Sequence, residues 1–231
     1  TLLAALGHAH HETLAQASRA TLCVHPFPLP WDRYRDWYQH GLALAIPAVR
    51  HLPPQCISPA IKYRSRLHWY LAERAARDID PRALALLLDD AGFLTETNSG
   101  NLLVVRDGQL WSPRPQTTLA GVSLEYVGEL ARAEGLELVR GDLTPEDLLS
   151  ADEALLSSTT YCLAPVTHLN GNPIGAGRPG PVFARLISRW SNAVGIDILQ
   201  QASCLAQGRE AQPSHPGSPP ATAASTDGAA P

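Results

Sequence analysis

Two hydrophobic periods alternate along the chain, and the places where one gives way to the other mark its expected elements. Residues 1–6 (TLLAAL) and 21–25 (TLCVH) are short apolar runs around a polar stretch and read as strands. Pro26, Pro28 and Pro30 then break the pattern in HPFPLPWDRY, so this stretch is expected to be an extended connector. Residues 41–50 (GLALAIPAVR) resume strand character, with Pro47 arguing for an edge position or a bulge. Pro53, Pro54 and Pro59 keep the approach to Lys62 extended. From about Arg64 to Arg77 the period becomes helical. Leu67, Tyr70, Leu71 and Ala75 share one face, with Arg66, Glu73, Arg74 and Arg77 elsewhere. The run ALALLL (83–88) lies between aspartates and is short enough to favour a strand.

Further on, FLTE, NLLVV and QLWS read as a strand meander with a hairpin turn at Asp107–Gly108. A helix comes next in LAGVSLEYVGELARAEG. Ser123 is its expected N-cap, Leu124, Val127, Leu130 and Ala131 its apolar face, and Gly135 its stop. ELVRG is a strand. Thr144–Pro145–Glu146–Asp147 combines a capping hydroxyl, a proline at the first helical position and a carboxylate at the third, which starts a short helix. ADEALLSSTTYCLAPVTHLNGNPIG reads as two strands and a hairpin at Asn170–Gly171. GPVFARLISRW, carrying Val182, Phe183, Leu186, Ile187 and Trp190, is a closing amphipathic helix. Beyond about Ala206 the chain loses Leu, Ile, Val and Phe and fills with Pro, Ala, Ser and Gly, so it is expected to be disordered.

Composition narrows the partners. With 231 residues, 45% hydrophobic and 17% charged, the chain is expected to fold as a soluble globular protein of one large or two modest domains. A net charge of -4 gives no electrostatic case for nucleic acid or an anionic membrane surface. No apolar run reaches the ~20 residues of a membrane span, and the start lacks the basic region of a signal peptide. A cytoplasmic location is therefore the default. Cys23, Cys56, Cys162 and Cys204 form no CxxC pair and are expected to be buried thiols. His8, His10 and His11 have no second ligand group at metal-binding spacing and are expected in a polar loop, so no metal is assigned.

The stretch from Lys62 to Asn101 carries the candidate chemistry. Lys62 is the only lysine in a chain with 18 Lys and Arg together. Alone it would read as a surface residue, and Glu96 alone as a turn carboxylate. Their order relative to the downstream motifs changes this. Glu96, Asn101, Ser112–Pro113 and Leu119–Ala120–Gly121–Val122–Ser123 come in sequence, then ADEALLSSTTYCLAPV, then NGNPIGAGRPGP. From about Leu22 to Trp190 this succession resembles the class IV aminotransferases. These are the fold-type IV enzymes of pyridoxal 5'-phosphate (PLP), which include branched-chain and D-amino acid aminotransferases and aminodeoxychorismate lyases.

The resemblance implies an α+β fold: the large C-terminal domain of that family, a pseudo-barrel of mixed strands and helices. It implies three divisions: residues 1–30 as the remnant of a small N-terminal domain and its connector, 31–203 as the PLP-binding large domain, and 204–231 as a disordered tail. It further implies a homodimer, and a chain that lacks most of the small domain, including an arginine for the cofactor phosphate. It makes Lys62 the catalytic residue, since a lysine amine condenses with the PLP aldehyde once burial has lowered its pKa. It sets Glu96 against the pyridine nitrogen, which then stays protonated so that the ring acts as an electron sink. Leu119 lies under the ring, while Gly121, Val122 and Ser123 at a helix start, with Thr159, hold the phosphate. The backbone amides of Thr160 and Tyr161 take the substrate carboxylate.

The implied reaction moves an amino group between a small amino acid, branched-chain members included, and a 2-oxo acid. The sequence also departs from common family patterns. Leu103 stands where many members have an aromatic residue, Leu124 where a basic one is frequent, and Leu67 where branched-chain enzymes often have tyrosine. Arg66 matches the lysine-plus-four arginine of aminodeoxychorismate lyases, which supports a PLP-dependent β-elimination as the alternative reaction. The missing N-terminal region and the absence of methionine support a third reading, a non-catalytic truncated scaffold.

Overall fold

The computed structural model describes residues 2–6, 20–24 and 26–210. His8, His10 and His11 lie outside the described residues, as does the tail from residue 211. In chain order the elements begin with strands β1 (Leu2–Leu6) and β2 (Ala20–Val24), helix α1 (Trp31–His40) and strand β3 (Leu42–Ala45). Next come helix α2 (Leu67–Ile79) and strands β4 (Leu84–Leu88), β5 (Leu94–Thr97), β6 (Asn101–Arg106) and β7 (Gln109–Pro113). Helix α3 (Val122–Arg132), strand β8 (Leu138–Gly141) and helix α4 (Pro145–Leu149) come after them. The chain continues with β9 (Glu153–Ser158), β10 (Cys162–Leu169), β11 (Asn172–Pro173), α5 (Pro181–Val194) and α6 (Ile198–Glu210).

The strand pairings close on themselves. β10 runs parallel to β3, and β3 parallel to β4. From β4 the ladder is antiparallel through β5, β6 and β9 and returns to β10. Six strands thus form a barrel, whose closure pairs edges that an open sheet would leave exposed. Strand β6 also passes its far end to β7, which carries β8 beside it, and β11 adds to β10. The pseudo-barrel expected from the sequence is present. Leu44, Leu86, Leu102, Leu103, Leu155 and Leu156 are fully buried, on one face of its wall or the other. Strands β1 and β2 pair separately as an antiparallel ribbon, Leu2 opposite Val24. Asp107 and Asn170 take positive φ just before glycines that do the same, as the two predicted hairpin turns require.

Three expectations give way. The connector ends at Pro30, and Trp31 starts α1 directly. Tyr34, Trp37 and Tyr38 are buried on that helix at i, i+3 and i+4, a helical period that the preceding prolines mask in the sequence. On α2 the predicted apolar face is the wrong one, since Leu67, Tyr70 and Leu71 are exposed. The buried face is Trp69, Ala72, Glu73 and Ala76, and its two alanines let the helix lie close against Ala85 and Leu87 of β4. Finally, α6 continues to Glu210, through the start of the expected tail. Ala202 and Ala206 are buried, and this small-residue stripe lets α6 approach α1.

The thiol expectation also changes. Cys56 and Cys204 are exposed and Cys162 is half-buried, while the Cys23 side chain lies outside the described ones. Burial raises the Cys162 thiol above its ordinary pKa.

Candidate active site

One cleft of about 290 Å³ gathers residues from four distant stretches. They are the approach to α2, the β5–β6 corner, the start of α3 and the end of β9. Glu96 enters it by strand alternation. Thr95 and Thr97 are buried in the barrel, so Glu96 between them faces the other way. Thr97 fixes the corner: its hydroxyl donates to the Gly100 carbonyl and accepts from the Gly100 N–H, both at 3.0 Å. Gly100 has no room for a side chain, because a Cβ there would overlap the Tyr161 hydroxyl.

Asn101, directly across the ladder from Glu96, is the hub of the site. Its side-chain N–H groups donate to Glu96 Oε2 at 3.1 Å and to the Leu119 carbonyl at 2.9 Å. The Leu119 N–H donates to the same Glu96 oxygen at 3.2 Å. The asparagine therefore ties the strand that carries the carboxylate to the loop that leads into α3. That loop ends at Gly121, where a Cβ would overlap Asn101 Oδ1. Glycine is needed here for close approach, since the backbone is ordinary extended chain.

Gly121 is also the N-cap of α3 and supplies no side-chain cap. Ser123, expected as the cap, is the second residue of the helix. An uncapped first turn beside Gly121, Val122 and Ser123 presents N–H groups and the positive end of the helix dipole to the cleft. Opposite it stand Ser157, Ser158 and Thr159 at the end of β9. The Ser157 hydroxyl is buried without a hydrogen-bond partner.

Lys62 lines the cleft, but its side chain is exposed. The burial expected of it is absent, because residues 62–66 belong to no helix or strand and leave it at the rim. Nearby, the Arg66 guanidinium donates to the Asn98 carbonyl and lies 5.5 Å over the Trp69 ring. Desolvation holds its pKa below the ordinary arginine value. Burial likewise pushes Tyr63 up and His68 down, and the His68 shift is reinforced by His51 and Arg66.

Of the residues singled out in the sequence, Lys62, Glu96, Leu119, Gly121, Val122, Ser123 and Thr159 converge on this cleft. Thr160 and Tyr161 do not line it. Tyr161 is buried against Tyr34 and Trp37, with ring centroids 5.7 and 5.5 Å away, and its carbonyl accepts the Tyr38 hydroxyl at 2.7 Å. Burial raises both the Tyr38 and Tyr161 hydroxyls well above the ordinary tyrosine pKa. Sequence reasoning passed over His51 and Ser157. It quoted Asn101 only as a motif residue, although an asparagine opening an apolar strand is a signal that its amide has partners.

The donor set fits a phosphorylated pyridine aldehyde. There is one lysine amine, one carboxylate held by an asparagine, an uncapped helix start, and a buried hydroxyl lacking a partner. Barrel and cleft together have the large-domain architecture of the class that the sequence resembles.

The class IV amino-transferase family model matches residues 2–169, and the chain belongs to that family. A D-alanine aminotransferase of Listeria monocytogenes is 31% identical over 153 residues, covering 66% of this chain and 50% of the relative. A branched-chain-amino-acid aminotransferase of Pseudomonas aeruginosa is 32% identical over 110 residues, covering 48% and 36%. Among solved structures, a T.th. branched-chain amino acid aminotransferase complexed with N-(5'-phosphopyridoxyl)-L-glutamate superposes with a TM-score of 0.64 at 28% identity. That match covers 68% of this chain and 52% of the other. The chain spans about half the length, or less, of the curated relatives it matches.

Proposed function

We propose that this chain carries the cofactor half of a PLP-dependent aminotransferase, moving an amino group between an amino acid and a 2-oxo acid. The observation that carries the reading is the convergence of the only lysine with Glu96 and the uncapped start of α3 in one cleft. PLP, when bound, supplies an aldehyde to condense with amines and a ring that accepts electrons. The residues of the chain do the rest. Lys62 Nζ would hold the group at its aldehyde and would carry a proton at the substrate carbon. Glu96 Oε1, whose partner oxygen is occupied by Asn101 and Leu119, holds a proton at the ring nitrogen. The first N–H groups of α3 and the Ser157 and Thr159 hydroxyls bind the phosphate. Leu119, half-buried in the lining, would exclude water from a bound ring.

The relatives are named for D-alanine and for branched-chain amino acids, so both are the first substrates to try. The chain, incubated with PLP, 2-oxoglutarate and each amino acid in turn, is expected to form glutamate and the matching 2-oxo acid. Absence of amino transfer from every amino acid, with PLP demonstrably bound, would contradict the reading. Arg66 in the cleft wall favours a second reading, β-elimination. Release of pyruvate from an amino acid with a leaving group, without glutamate formation, would select it.

A further inference from the structure

His51 lies far from Glu96 in sequence and is held beside it by the fold. Its backbone N–H donates to the Leu88 carbonyl at 2.9 Å, which pins this irregular stretch to the end of β4. The side chain is 7% exposed. Trp69 meets the ring edge-on with centroids 5.8 Å apart, and His68 does so at 6.2 Å. The imidazole is thus fixed in orientation from the α2 side.

Each ring nitrogen faces an oxygen. Nδ1 is 3.1 Å from the Leu52 carbonyl, and Nε2 is 3.6 Å from Glu96 Oε1. A carbonyl only accepts, so the Nδ1 contact requires its proton there. Nε2 then meets the carboxylate either with a lone pair, which repels, or with a second N–H, which attracts. The Nε2 contact faces the carboxylate in both cases. At 3.6 Å it stops short of a full hydrogen bond and leaves the lone pairs of Oε1 available. Oε2 is already taken by Asn101 and Leu119. Among the described residues, Oε1 has no donor other than His51.

We propose that His51 is the positioning residue of Glu96, holding Oε1 in place for the ring nitrogen of a bound pyridine cofactor. This inference rests on the PLP reading above for its cofactor half, and on geometry alone for the pairing. Two measurements keep them apart. In the unliganded chain, ¹⁵N spectra of the imidazole nitrogens are compared between wild type and Glu96→Gln. The His51 Nε2 resonance is expected to move while Nδ1, held by Leu52, stays. An unmoved Nε2 overturns the pairing whether or not PLP binds.

The second measurement is a PLP titration followed in visible absorbance, with wild type, His51→Phe and His51→Gln. His51→Phe is expected to weaken binding severalfold and to shift the bound absorbance band. His51→Gln, which restores an N–H donor, is expected to recover part of the affinity. Equal affinity and an unchanged band in all three overturn the positioning role. Should His51→Phe fail to fold, the Gln variant and the nitrogen spectra still decide. No binding by the wild type overturns the PLP reading and the cofactor half of this proposal, while a moved Nε2 upholds the pairing.

Discussion

At the scale of single residues, the site depends on one asparagine amide. Asn101 holds the Glu96 carboxylate and the Leu119 loop with the same nitrogen, and its oxygen lies against Gly121. Glu96→Gln keeps the shape and, with its amide oxygen in the place of Oε2, both contacts, but removes the charge that favours a protonated ring nitrogen. It is expected to lower kcat by about tenfold or more, the equivalent of about 1.4 kcal/mol, with little change in Tm. A fall in Tm with kcat preserved would make Glu96 a structural residue. Gly121→Ala acts on the same hub from the other side. The new Cβ must displace Asn101 Oδ1 or the helix start. PLP affinity is expected to drop more than stability, which a cofactor titration beside a thermal melt would show.

At the scale of elements, α4 offers the cleanest test of local physics. Thr144 and Asp147 form a reciprocal capping box, with the Asp147 carboxylate accepting from the Thr144 N–H at 2.8 Å and from Arg106 at 2.5 Å. Thr144→Ala is expected to cost about 1 kcal/mol, or roughly 2–4 °C in Tm for a domain of this size. The Thr144 N–H, then the Thr144 hydroxyl and Arg106, hold the Asp147 carboxyl below its ordinary pKa. A depressed folded-state pKa means stability that is present above the unfolded value of about 3.9 and lost as pH falls through the folded one. The Tm gap between wild type and Asp147→Asn is therefore expected to shrink as the pH drops below about 4. A gap independent of pH would detach the carboxylate from the cap.

This capping box was legible in four consecutive residues, as were both hairpin turns, because their causes are local. The buried face of α2 was not. Its sheet-facing side mixes Trp69 and Glu73 with two alanines, while Leu67, Tyr70 and Leu71 dominate any periodicity. α1 hid behind three prolines for a similar reason, since the breakers lie just before Trp31 rather than within the helix. Of the site, Lys62, Glu96 and the Gly121 turn could be read from their order. His51 could not, because only closure of β3 beside β4 brings its loop to Glu96.

At the scale of the whole molecule, the closed barrel makes one cleft out of four chain segments. Lys62 is exposed at the rim of that cleft, as Val122 and Thr159 are, and its role rests on its place there rather than on a hydrogen bond. It is also the only lysine, which makes the central claim open to a single covalent measurement. The chain is incubated with PLP, reduced with borohydride and mapped by peptide mass spectrometry. Stable pyridoxyl label on the peptide containing Lys62, lost in Glu96→Gln or at least reduced, is the expected result. No label, or label confined to the N-terminal amine, would contradict the assignment of this cleft to PLP.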